Sequence, residues 1–76
     1  MTKSDIPSRI VRRIIRDIHG RYGLEQEFRS TNPIIQVGIY EEWIYQTALE
    51  LGMEYKKFEP KNMVEAVNHL GFYFEE

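Results

Sequence analysis

Residues 32–52 read NPIIQVGIYEEWIYQTALELG, and their pattern decides the fold. Asn32 offers the side-chain acceptor that a helix N-cap needs. Pro33 suits the first helical position, where its missing N–H would find no partner anyway. Gly52 stands where a helix commonly closes through a left-handed residue. The stretch between them predicts a helix over 33–51. One apolar arc holds Ile34, Val37, Tyr40, Ile44, Ala48 and Leu51 at helical spacing. A second stripe, Ile35, Ile39 and Trp43, crosses the polar side among Gln36, Glu42, Gln46 and Glu50. Two stripes predict a helix covered on both sides. In one reading the helix is the central element, flanked by the others. In the other reading one stripe meets a partner or a second subunit. Trp43, near Tyr40 and Tyr45, suits an interface anchor, because tryptophan and tyrosine dominate binding hot spots. Gly38 sits inside the helix at a cost of about 1 kcal/mol against alanine, which predicts a close helix approach or a kink.

Upstream, IPSRIVRRIIRDIHG at 6–20 predicts a first helix over about 7–19. Ser4 or Asp5 would cap it, Pro7 suits its first turn, and Gly20 ends it. Ile10, Val11, Ile14, Ile15 and Ile18 share one arc. Arg9, Arg12, Arg13, Arg16 and His19 share the other. The β-branched content suits a strand, but the 3.6-residue period outweighs it. Leu24 and Phe28 are four apart and predict a short helix at 23–29, broken from the first by Gly20 and Gly23. Downstream, a third main helix is expected over 60–70, starting at Pro60 or Lys61 and ending at Gly71. Met63, Ala66, Val67 and Leu70 form its apolar arc. The tail residues Phe72, Tyr73 and Phe74 are too apolar to hang free and are expected to dock. The fold expected is all-α, a small bundle of three main helices in one domain spanning 1–76.

The chain has 76 residues, 42% of them hydrophobic and 29% charged, which excludes a large enzyme fold and a disordered chain. So short a chain buries only roughly 60% of its unfolded surface, so its stability margin is thin. Cysteine is absent, which excludes disulfides, thiolate metal sites and a cysteine nucleophile. His19 and His69 are far apart in sequence, so a histidine zinc site is not expected. Partnering is the remaining remedy for a thin margin. No leader-like apolar segment and no membrane-length run is visible, and cysteine-free composition is compatible with the cytoplasm.

The net charge of −2 hides a split. Residues 1–29 hold seven basic and four acidic residues, a net +3, and residues 30–76 hold three basic and eight acidic, a net −5. All six arginines lie in the first part. Arg9, Arg12, Arg13 and Arg16 line one side of the first helix, and Arg21 would extend the patch. The planar guanidinium binds phosphate or carboxylate through paired hydrogen bonds. Such a face could be solvated, pair with the glutamates of the 33–51 helix, dock an acidic protein surface or follow a nucleic-acid backbone. Overall acidity counts against nucleic acid.

Catalysis finds little support. Glu41 and Glu42 are adjacent and point about 100° apart, so they form no acid–base pair. His19 falls among the arginines and His69 on a polar face, both expected to be exposed. No phosphate-binding glycine motif is present. Tyr55-Lys56-Lys57-Phe58 alternates aromatic and basic character only briefly, and these aromatics are expected in the core.

The short–long–short helix order resembles the histone fold, with Lys57-Phe58 ahead of the third helix and EPKNMVEAV at 59–67 similar to the start of that fold's last helix. The resemblance implies a dimer whose pre-helix segment forms a short β-like pairing loop. The central helix here is shorter, the 20–32 connection is longer, and Tyr55 and Lys57 stand where the DNA-contacting arginine–threonine pair would be. The resemblance therefore remains one of topology.

The expected function is a non-enzymatic interaction module, a small regulatory or accessory protein with no cofactor, metal, membrane or small-molecule substrate. Its contacts would use Ile35, Ile39 and Trp43, the arginines Arg9, Arg12, Arg13 and Arg16, or both. A homodimer is the simplest form, because a basic first part and an acidic remainder complement each other across a two-fold axis. The alternative is a nucleic-acid-binding protein, in the histone-like case a dimer, using Arg9, Arg12, Arg13, Arg16 and Arg21.

Overall fold

Helix α3, Pro33–Glu50, is the central element of the computed structural model, which describes residues 6–74. The other elements are α1 (Ile6–His19), α2 (Leu24–Arg29), α4 (Met63–Leu70) and a 3-10 turn at Gly71–Phe74. The fold is a small all-α bundle, with no strand among the described residues. The expected caps Ser4 and Asp5 lie outside the described residues.

The termini of α3 follow from local chemistry. Asn32 Oδ1 accepts from Ile34 N at 2.8 Å, and Pro33 occupies the first turn. At the other end Gly52 takes φ +69, a conformation costly for any residue with a Cβ. Gly52 N donates to Leu49 O at 3.1 Å and Met53 N to Ala48 O at 2.8 Å. This paired closure satisfies two otherwise orphaned carbonyls and turns the chain back.

Helix α4 starts later than the sequence reading placed it, at Met63 rather than Pro60 or Lys61. Asn62 is its cap: Oδ1 accepts from Glu65 N at 2.9 Å, and Glu65 Oε1 accepts from Lys61 N at 3.1 Å. Asn-x-x-Glu is a start signal of the capping-box kind, and it outcompetes the proline. Gly71 does not terminate the helix through a left-handed turn. It keeps right-handed geometry, and the chain tightens into the 3-10 turn that buries Tyr73.

Helices α1 and α4 both pack on α3, and the 3-10 turn closes against both α1 and α4. The core is Val11, Ile15, Val37, Tyr40, Ile44, Ala66 and Tyr73. Ile34 and Leu51, at the two ends of the α3 arc, stay exposed. Gln36 belongs to the interior and not to the polar side: its Nε2 donates to Thr31 O at 2.7 Å and ties down the α2–α3 connection.

Gly38 shows neither a close approach nor a kink. A Cβ at this position would meet nothing within 4 Å, and α3 is continuous through it. Gly38→Ala is therefore expected to stabilise the fold by about 1 kcal/mol through lower unfolded-state entropy. Thermal denaturation should read this as a rise of about 4–8 °C for a domain of this size. An unchanged or lowered midpoint would contradict an unobstructed helical site.

Candidate interaction surface

The rotation of α1 decides which side chains are available. Pro7, Ser8, Val11 and Ile15 are buried, whereas Ile10 and Ile14 are exposed, Ile14 by 50%. The isoleucine arc is wider than the face α3 can cover, so its outer edge is left in solvent. The opposite edge turns inward. Arg12 lays its guanidinium over the Phe72 ring, 4.7 Å from the centroid, and Nη1 donates to Phe72 O at 3.4 Å. Its long stem covers apolar surface while its head secures the tail.

The arginine face is therefore divided. Arg12 belongs to the packing of the 3-10 turn. Arg16 is half-buried. Arg21 Nε donates to Asp17 Oδ2 at 2.8 Å, an exposed pair. Arg9 and Arg13 are exposed and have no partner among the described residues. His19 does not sit exposed among the arginines. It is half-buried between Phe28 and Phe74, edge-on to Phe74 at 4.8 Å, and shares a 3.1 Å hydrogen bond with the Tyr40 hydroxyl. Burial pushes the Tyr40 hydroxyl up to about 12.

The stripe on α3 is also divided. Ile35 is 56% exposed. Ile39 and Trp43 are half-buried and pack against the core. Trp43 lies 5.9 Å from Phe28 and 5.8 Å from Tyr40, ring to ring. The stripe is thus only partly covered: Trp43 supports the core and also borders a groove.

That groove runs between α1 and α3. It encloses about 400 Å³ and is lined by Val11, Ile14, Ile18, Trp43, Gln46 and Thr47. The two helices run antiparallel, since His19 meets Tyr40 at one end while Val11 faces the groove together with Thr47 at the other. Exposed Ile10 and Ile35 lie on the same sides of their helices and extend the apolar band beyond the groove. The exposed edge of α1 and the α3 stripe are thus brought together, a juxtaposition that neither helix reveals separately.

A second constellation carries ionisable chemistry. Glu41 is 1% exposed and accepts three hydrogen bonds: from the Tyr55 hydroxyl at 2.7 Å, Phe58 N at 2.6 Å and the Tyr73 hydroxyl at 2.6 Å. His69 Nε2 lies 3.8 Å from its other side, too far for a hydrogen bond, with its ring stacked 3.9 Å from Phe58. His69 is thus half-buried and not on an exposed polar face. Burial and the facing carboxylate push the hydroxyls of Tyr55 and Tyr73 well above the usual phenolic range. Two donors fill Oε1, one reaches Oε2, and the fold shuts the carboxylate from solvent. The arrangement holds the 53–60 segment and the tail on α3. That segment is irregular and is anchored to the chain's own Glu41. Glu42 points outward and accepts from Lys57 Nζ at 3.0 Å.

His19 contributes to the pH response of the fold. Burial holds His19 below its ordinary 6.5, with Arg29 adding to this and Glu25 opposing it. The fold favours the neutral ring, so its contribution is fully present above about pH 6.5 and is lost as pH falls from there through the folded value. Stability of the chain should drop between pH 7.5 and 5.5 more steeply than that of a His19→Gln variant, measured by urea unfolding at each pH. Equal slopes would remove His19 as a source.

Among the described residues, no helix is long and apolar enough to cross a membrane, and no three metal-ligating side chains converge. Compared with known protein families, curated proteins and solved structures, the chain matches none of them.

Proposed function

We propose that this chain is a non-enzymatic interaction module, a small regulatory or accessory protein that docks a protein element along the α1–α3 groove. The observation that carries the reading is the groove itself, an apolar channel of about 400 Å³ whose walls include Ile14 and Trp43. A contiguous apolar surface rimmed by polar residues is the usual mark of an interaction site. Half-buried Trp43 supplies an amphipathic anchor fixed in place by Phe28, the kind of rigid aromatic that concentrates binding energy. Along this apolar band Ile35 and Ile14, 56% and 50% exposed, have the most surface to lose to a partner.

Support for the nucleic-acid alternative is thinner than the sequence offered. Of the five arginines it would use, Arg12 is committed to Phe72 and Arg21 to Asp17. A polyanion would need a continuous cationic track.

A photo-crosslinking residue at position 14, introduced into the protein in cells, tests the docking reading. It should give one protein adduct of defined mass in high yield. The same residue at position 54, exposed in the α3–α4 connection, should give none. Equal, diffuse or absent adducts at both positions would overturn it.

A further inference from the structure

We infer that the outer face of α1 lies flat on an anionic membrane surface, with the guanidinium groups of Arg9 and Arg13 on lipid phosphates and the side chains of Ile6 and Ile10 at the acyl boundary. The contact is peripheral. It uses the side of α1 that points away from the groove, so it stands or falls independently of the docking reading. It departs from the sequence expectation of no membrane contact, which rested on the lack of a spanning segment and does not bear on a helix lying in the surface.

Placement on the helix comes first. Val11 and Ile15 turn into the core. At about 100° per residue, Arg13 points directly away from the middle of that pair. Ile6 lies within about 20° of Arg13, Arg9 within about 40° and Ile10 within about 60°. Arg9 and Arg13 are exposed, and Ile6 and Ile10 are each 39% exposed. One face of α1 thus carries two cations and two branched apolar side chains, turned away from the core. Asp17 shares this side, but its carboxylate is paired with Arg21 at 2.8 Å, so the pair adds no net charge.

The cationic charge on this face is unspent. Arg9 and Arg13 have no partner among the described residues. They stand four apart on the helix, so each repels the other. Arg9 also lies in the first turn, at the positive end of the helix dipole, and that turn holds no acidic residue. Both effects weaken the isolated helix, and a layer of phosphates offsets both.

The apolar half of the face selects the kind of anion. On a nucleic acid, Ile6 and Ile10 would be pressed against phosphate. A protein partner is commonly anchored by an aromatic side chain, and none stands among residues 6, 9, 10, 13 and 17. At a bilayer surface arginine reaches the phosphates while neighbouring aliphatic side chains enter the acyl boundary, and no matched shape is needed.

Co-sedimentation of the full chain with vesicles tests this. The chain should bind vesicles of phosphatidylcholine containing about one third phosphatidylglycerol, and not vesicles of phosphatidylcholine alone. Raising the salt to about 0.5 M should weaken the binding severalfold. Arg9→Gln and Arg13→Gln should each weaken it about fivefold, and together about twentyfold or more. The double change Arg9→Lys with Arg13→Lys keeps both charges and should retain binding. Ile10→Ser should weaken it severalfold at unchanged charge. Circular dichroism should show unchanged helix content in every variant. Failure to bind the anionic vesicles would overturn the inference. So would equal binding to both vesicle types, or binding indifferent to the glutamine replacements. An Ile10→Ser variant that binds as well as the original would reduce the contact to charge alone and overturn it, as would equally tight binding to duplex DNA at the same salt. Crosslinking at position 14 reads the groove and not the vesicle, so the failure of either reading is seen separately.

Discussion

Replacing Glu41 by alanine is expected to cost about 3–5 kcal/mol, a large part of the stability of a chain this size. The carboxylate is 1% exposed and receives the Tyr55 and Tyr73 hydroxyls and the Phe58 amide. Truncation strands all three donors. An unmet donor costs about 1–3 kcal/mol where water cannot reach it. Tyr73 is fully buried and takes the full penalty, while Tyr55 and Phe58 are half-buried and recover some hydration. Removing the carboxylate also releases two segments that approach α3 from different directions, the 53–60 connection and the tail. Glu41→Gln keeps the volume and one oxygen acceptor but turns an NH2 toward a donor. Its cost should be smaller, about 1–2 kcal/mol. Urea unfolding midpoints of the two variants measure this. A Glu41→Ala cost under about 1 kcal/mol would mean that the cluster is incidental to stability.

Much of this architecture is legible in the sequence, and the parts that are not share a cause. The 33–51 helix announces itself through Asn32, Pro33 and Gly52, because caps and breakers are local chemistry. The 7–19 and 23–29 helices follow from the spacing of Ile10–Ile14–Ile18 and Leu24–Phe28. The start of α4 was equally local, and Asn62-x-x-Glu65 outweighs Pro60 as its signal. What the period cannot supply is the phase of a helix against its neighbours. Five β-branched residues make the apolar arc of α1 too broad to say which edge is buried, so Arg12 and His19 turn inward where solvent exposure was expected. Glu41 illustrates the opposite case. It lies four residues after Val37 and three before Ile44, inside the buried arc, and two tyrosines wait in the segments that follow. A charge within an apolar arc, with hydroxyl donors downstream, is the signal from which its burial could have been read. The groove required two helices to be placed together, and neither stripe names its neighbour.

The second large effect is expected at Tyr73, where alanine should cost about 3–5 kcal/mol. The ring is fully buried, 4.9 Å from Tyr40 and 5.2 Å from His69, and its hydroxyl donates to Glu41 Oε2 at 2.6 Å. Alanine leaves a cavity bounded by α3 and α4 and withdraws one donor from a buried carboxylate. Phe72 would follow, because its hold on Arg12 depends on the 3-10 turn that Tyr73 pins. Tyr73→Phe separates the two components: it keeps the ring and removes only the hydroxyl, and should cost about 1.5–3 kcal/mol. The same Tyr73→Phe change made in the Glu41→Ala background should be close to neutral, since the hydroxyl has already lost its acceptor. That difference is the coupling energy between tail and central helix, expected at about 1–3 kcal/mol. If Tyr73→Ala costs no more than about 0.5 kcal/mol, the value typical of surface substitutions, the tail merely lies against the bundle. If instead Tyr73→Phe costs the same in both backgrounds, the hydroxyl acts through something other than Glu41. A full coupling would establish that the chain completes its core with its last described turn, using one carboxylate to join three separate segments.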